Sequence, residues 1–77
     1  MGNIHINIKL FAMLQDGRFG TKKDEFPVGT TVDDIIQRLG IQEKEVTLIF
    51  INGRHGQGNT QLIDGDTVAL FPPVGGG

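Results

Sequence analysis

Thr30-Thr31-Val32-Asp33-Asp34-Ile35-Ile36-Gln37-Arg38-Leu39-Gly40-Ile41 is the one stretch of this 77-residue chain that reads as a helix, and it decides what the rest must build. Val32, Ile35, Ile36 and Leu39 stand at i, i+3, i+4 and i+7, which puts four aliphatic side chains on one helical stripe. Asp33 and Asp34 fall in the first turn, where the helix dipole favours anions. Thr30 or Thr31 can cap the start, and Gly40 can end the helix in the left-handed conformation with Ile41 folding back on the last turn. A single amphipathic helix has no helical partner, so its stripe needs the face of a sheet.

The flanks supply that sheet. Ile4, Ile6, Ile8 and Leu10 alternate with Asn3, His5, Asn7 and Lys9, the period-two pattern of a half-buried strand. A weaker extended run from about Lys23 to Val28 contains Pro27, which cannot donate to a ladder, so this strand is expected at a sheet edge. The glycines between Gln15 and Gly20 mark the loop joining these two runs. Beyond the helix, Val46 to Ile51 is almost wholly apolar, as expected of a strand covered on both faces or lying at the centre of the core. Asn52-Gly53 supplies the two positive-φ positions of a tight hairpin. The glycine-rich segment Arg54 to Gln61 leaves room for only a short fourth strand. Asp64-Gly65-Asp66 turns the chain into a last strand, Thr67 to Phe71, which Pro72-Pro73 terminates. The expected fold is α+β: a mixed sheet of four to five strands with one main helix packed across it.

Composition excludes several functions. The chain has no cysteine, so it offers no disulfide, thiolate metal site or cysteine nucleophile. Seven basic and nine acidic residues give a net charge of −2 in short mixed clusters, which argues against nucleic acid as a partner. The apolar runs are far below membrane-spanning length and no basic region leads into one at the start, so a cytoplasmic chain with no membrane partner is expected. Gly2 follows Met1 as myristoylation requires, but Ile6 stands where that signal needs Ser or Thr.

The usual catalytic constellations fail in turn. His5 and His55 are far apart, lack metal-ligand spacing, and read as solvated surface residues. Gly53-Arg54-His55-Gly56-Gln57-Gly58 has neither phosphate-loop spacing, and no long helix follows it, so it reads as a flexible hairpin loop. Asp64 and Asp66 flank a glycine without the further ligands of a calcium loop, and a turn role accounts for them. No intrinsic catalytic residue, metal ligand or bound cofactor is expected.

What remains is the end, Leu70-Phe71-Pro72-Pro73-Val74-Gly75-Gly76-Gly77, where strand gives way to a stiff Pro-Pro segment and then to backbone without side chains. Six residues from Pro72 to Gly77 reach about 20 Å at roughly 3.3 Å each. Glycine passes a narrow channel without a clashing Cβ and accepts whatever φ the channel imposes. Such an end suits delivery of a terminal carboxylate into another protein's buried site. A frayed terminus is equally glycine-rich, and the residues alone leave both readings open.

Ordered motifs along most of the chain resemble the MoaD/ThiS family of ubiquitin-like sulfur carriers. Phe11-Ala12-Met13-Leu14 resembles the FAxL stretch after the first strand, and Phe26-Pro27-Val28-Gly29-Thr30-Thr31-Val32 the lead-in to the helix. Ile49-Phe50-Ile51-Asn52-Gly53-Arg54 is similar to the family hairpin, and Leu62-Ile63-Asp64-Gly65-Asp66-Thr67-Val68 to its L-x-D-G-D-x-V segment. Phe71-Pro72-Pro73-Val74 ahead of Gly76-Gly77 resembles the small subunit of molybdopterin synthase more than the thiamin carrier. Gly75 departs from the pattern by making the tail a triple glycine, as does the glycine-rich Gly56–Asn59 insert.

The resemblance implies a ubiquitin-like β-grasp domain over residues 1–71 and a flexible tail over 72–77. It implies that Gly77 is adenylated by an ATP-consuming activating adenylyltransferase (MoeB/ThiF-like) and converted by a sulfur donor protein to a thiocarboxylate. The sulfur would then pass to molybdopterin in the large subunit of molybdopterin synthase (MoaE-like), for the molybdenum or tungsten cofactor. Gly75 and Gly76 would thread the partner's channel, and Phe71, Pro72, Pro73 and Val74 would form the partner-binding neck, with Phe11 and Met13 as candidates for a docking patch. The alternatives are a carrier for thiamin thiazole or another sulfur-containing product, a ubiquitin-like modifier conjugated to lysine, and a plain β-grasp binding module with an inert end.

Overall fold

In strand β1, Asn3–Leu10, the alternation is realised side chain by side chain: Ile4, Ile6, Ile8 and Leu10 are buried, while Asn3, His5 and Lys9 are exposed. The computed structural model of the chain describes residues 2–73. The tail segment Val74–Gly77, with the candidate residues Val74, Gly75, Gly76 and Gly77, lies outside the described residues.

Four further strands, β2 (Thr21–Pro27), β3 (Leu48–Ile51), β4 (Arg54–His55) and β5 (Thr67–Phe71), join β1 in one sheet ordered β2-β1-β5-β3-β4. β1 and β5 run parallel, and the other neighbouring pairs are antiparallel. Helix α1, Val32–Arg38, buries Val32, Ile35 and Ile36 in one core with the inward residues of β1 and with Val68 and Leu70 of β5. The two ends of the chain thus form the parallel centre of the sheet and the helix closes one face, which is the ubiquitin-like β-grasp expected from the sequence.

Both ends of α1 are built as their residues require. Thr31 and Asp34 form a reciprocal capping box: Asp34 N–H donates to Thr31 Oγ1 at 3.2 Å, and Thr31 N–H to Asp34 Oδ2 at 3.0 Å. At the other end Gly40, at φ 73°, lets Ile41 N–H reach Ile36 O at 3.1 Å while Gly40 N–H donates to Gln37 O at 3.0 Å, a Schellman closure. The Arg18 guanidinium adds a cationic cap that the sequence did not reveal, donating to Leu39 O at 3.1 Å, Gly40 O at 3.3 Å and Leu14 O at 3.2 Å. It thereby ties the turn after β1 to the end of the helix.

Three expectations need correction. β2 begins at Thr21, two residues ahead of the expected start, although Pro27 does close it at the sheet edge as its missing donor demands. The run Val46 to Ile51 is neither covered on both faces nor central: β3 lies one strand from the edge, Leu48 is 37% exposed and Phe50 half-buried. A single helix covers a single face, so the outward side chains of this apolar run meet solvent or one another. Finally, the glycine-rich loop is docked. Gly58 O accepts from Asp33 N–H at 2.8 Å and Thr60 O from Val32 N–H at 3.3 Å, which satisfies the first amides of α1.

Candidate functional site

β5 places Phe71 at its final position, immediately before Pro72-Pro73. Phe71 pairs with Leu48 across the ladder, and its carbonyl accepts from Thr47 N–H at 2.8 Å. The alternation that sends Val68 and Leu70 into the core sends Phe71 to the open face of the sheet. There the Phe11 ring stacks on it, with centroids 4.2 Å apart and planes within 9°. Phe50 meets Phe71 edge-on at 5.5 Å and 83°, and His55 meets Phe50 at 5.9 Å and 87°. Aromatic pairs of this kind contribute about 0.5–1.5 kcal/mol beyond the area they bury. The last strand residue before the tail is therefore clamped from two sides.

Of the expected neck residues, Phe71 and Pro72 are half-buried and Pro73 is exposed. The structure joins Phe11 to the neck; Met13 is 61% exposed on the next turn, Ala12–Gln15. Phe50 and His55 were missed as members of this patch. A signal was available for Phe50, since it alternates with Ile49 and Ile51, which pack against the core, and therefore faces outward on the strand beside β5.

The motifs that resemble the sulfur carriers act here as pins that hold β5. Asn52, at φ 54°, opens the β3–β4 hairpin, and its amide bridges to the following turn: Nδ2 donates to Asp66 Oδ1 at 2.7 Å and Oδ1 accepts from Thr67 N–H at 2.9 Å. Asp66 is 7% exposed, and its second oxygen accepts from Ile63 N–H at 2.9 Å. Asp64 accepts from His5 N–H at 2.7 Å and lies 3.1 Å from His5 Nδ1. Donation from the His5 backbone, then from its ring, holds the Asp64 carboxyl below the usual aspartate value. His5 is thus an exposed surface residue as expected, with a carboxylate partner 59 positions away that no local spacing displays. Among the described residues no three histidine or acidic side chains gather as a metal site would need, and no helix is long and apolar enough to cross a membrane.

Comparison with known proteins agrees with this arrangement. The ThiS family profile matches residues 8–77. A Pyrococcus furiosus protein assigned as molybdopterin converting factor subunit 1 is 30% identical, with a TM-score of 0.73 over 92% of this chain and 99% of its own. Small archaeal modifier protein 1 of Haloferax volcanii is 26% identical, with a TM-score of 0.74 over 92% of this chain and 99% of its own. One chain of the complex of subunits 1 and 2 of the molybdopterin-converting factor of Helicobacter pylori is 25% identical, with a TM-score of 0.59 over 96% of this chain and 100% of its own. No curated protein sequence matches significantly.

Proposed function

The chain belongs to the ThiS family, and from that premise we propose that it is a sulfur carrier whose reactive group is the carboxyl of Gly77. The observation that carries the reading is the clamped Phe71: β5, at the centre of the sheet, ends in a residue gripped by Phe11 and Phe50, with Pro72-Pro73-Val74 and then three glycines following in the sequence. A rigid body thus anchors a short segment of stiff and then side-chain-free backbone.

A C-terminal carboxylate has an ordinary pKa of about 3.3–3.7, so near neutrality it is an anion and a poor electrophile. Its oxygen attacks the α-phosphorus of ATP in an activating adenylyltransferase, releasing pyrophosphate and leaving an acyl-adenylate. Hydrosulfide released by a donor protein then attacks the acyl carbon, its proton is lost and AMP leaves, so that a thiocarboxylate remains on Gly77. The carrier supplies the substrate end and a docking face, and the partners supply the catalysis. The aromatic patch of Phe11, Phe50 and Phe71, with exposed Leu48 beside it, is apolar as the centre of a protein interface should be.

Molybdopterin is the product favoured by the Pro-Pro neck and by the likeness to molybdopterin converting factor subunit 1, and the complex of its two subunits supports a large-subunit partner of the same kind. The similarity to a small archaeal modifier supports a second reading, in which a lysine amine rather than sulfur displaces AMP. Mass spectrometry of the protein from its native cell separates the two. Oxygen replaced by sulfur at Gly77 is the expected result, isopeptide-linked species identify a modifier, and an unmodified end refutes both.

A further inference from the structure

The face of the sheet opposite the aromatic patch carries a groove. Where β4 stops after His55, the chain leaves β3 and crosses to the start of α1. This opens a hollow of about 310 Å³ floored by Ile36, Val46 and Ile49, with Asp33 and Glu43 at its rim. A second hollow of about 420 Å³ shares Asp33, Ile36 and Glu43 and continues along the helix to Ile41. The two carboxylates therefore stand at the junction of one elongated groove, aliphatic at its floor and polar along its sides.

Three observations say what fits it. Asp33 and Glu43 form no ion pair within the described residues, whereas Asp64 and Asp24 do. Asp33 also stands against the loop that walls the groove: Gly58 lies so close to its carboxylate that a Cβ at position 58 would overlap it, and Gly58 O accepts from Asp33 N–H at 2.8 Å. Lastly, the ladder breaks off along the groove wall. Gly56 N–H donates to Ile49 O at 2.8 Å, but the reciprocal Ile49 N–H has no acceptor among the described residues. An unpaired strand donor beside an open groove is the starting point for strand addition. The opposite sheet edge, β2, is guarded by Lys22, Lys23, Asp24, Glu25 and Pro27.

We propose that this groove takes an extended peptide segment of a protein partner, its backbone carbonyl accepting from Ile49 N–H and a lysine or arginine side chain laid over Ile36 between Asp33 and Glu43. Apolar floor and anionic rim match an aliphatic stem with a cationic head. The groove and the aromatic patch lie on opposite faces of the sheet, so this proposal and the sulfur-carrier reading fail separately.

The test is a titration of the isotope-labelled chain, followed by amide chemical shifts, with a short acetylated peptide alternating valine and threonine about one central lysine. Shifts at Glu43, Val46, Ile49 and Gln57 are expected, with slowed hydrogen exchange at Ile49. Binding should weaken at least about tenfold in Glu43→Gln with Asp33→Asn, measured at a temperature where both proteins are folded, and fall with salt as the Debye length contracts from about 30 Å at 0.01 M to about 8 Å at 0.15 M. A matched peptide with central glutamate should not bind. Equal binding of the two peptides, shifts confined to Phe11, Phe50 and Phe71 or to β2, or no shift at millimolar peptide would each overturn the proposal.

Discussion

Gly58→Ala isolates a packing constraint from a backbone one. Gly58 is not in the left-handed region, so alanine suits its φ; what it lacks is space, because the new Cβ would overlap the Asp33 carboxylate, with Asp33 Cγ only 2.7 Å away. Either Asp33 leaves its rotamer, at about 0.5–1.5 kcal/mol, or the loop retreats and loses the Gly58 carbonyl that caps the helix, a net hydrogen bond of about 0.5–1.5 kcal/mol. The expected cost is about 1–2 kcal/mol, at the lower end of overpacking effects because a short side chain can give way. For a domain of this size that lowers the thermal midpoint by roughly 4–16 °C. The assay is a double-mutant cycle by urea denaturation. With Asp33→Ala in place the obstruction is gone, so Gly58→Ala should become nearly neutral and the coupling should reach about 1 kcal/mol. Gly53→Ala is the control: its φ of 80° with nothing within 4 Å means backbone strain that no neighbouring substitution relieves. Strict additivity of Gly58→Ala and Asp33→Ala would refute the packing account.

Ile35 is fully buried, so Ile35→Ala should cost about 2–5 kcal/mol in chemical denaturation, and less than half a kcal/mol would mean the helical stripe is not core. Arg18→Gln removes the cation from the end of α1 and should cost about 1–2 kcal/mol, with amide exchange accelerated first at Leu39 to Ile41. Because the carboxyl of Asp64 is depressed in the folded chain, its contribution to stability is present above the unfolded value near pH 4 and is lost as pH falls through the lower folded value. Asp64→Asn should flatten that acid limb of a stability-versus-pH curve, and an unchanged limb would assign it to other carboxylates. Deleting Gly77, or adding one residue after it, should abolish thiocarboxylate formation by the activating enzyme while leaving the thermal midpoint in place; retained transfer would move the chemistry elsewhere.

Local patterns determined much of this protein. Period two in Ile4 to Leu10, the i, i+3, i+4 stripe, the Thr31 cap, the Gly40 stop, the Asn52-Gly53 hairpin and the terminating prolines all follow from interactions within a few residues, and each stands as read. The order of motifs likewise pointed to the family that the comparison shows, because side chains fixing a turn or a cap keep their spacing along the chain. What the sequence misjudged was the surroundings of an apolar run: Val46 to Ile51 looks the same whether two faces or one are covered, and only strand order and the single helix decide. The tertiary structure alone brought Phe11 onto Phe71, Asp64 to His5, Arg18 to the end of α1 and Gly58 against Asp33. Those contacts join residues from 21 to 60 positions apart, and no periodicity encodes them. They exist because sheet pairing places distant segments side by side, after which short-range forces between side chains settle which neighbours hold.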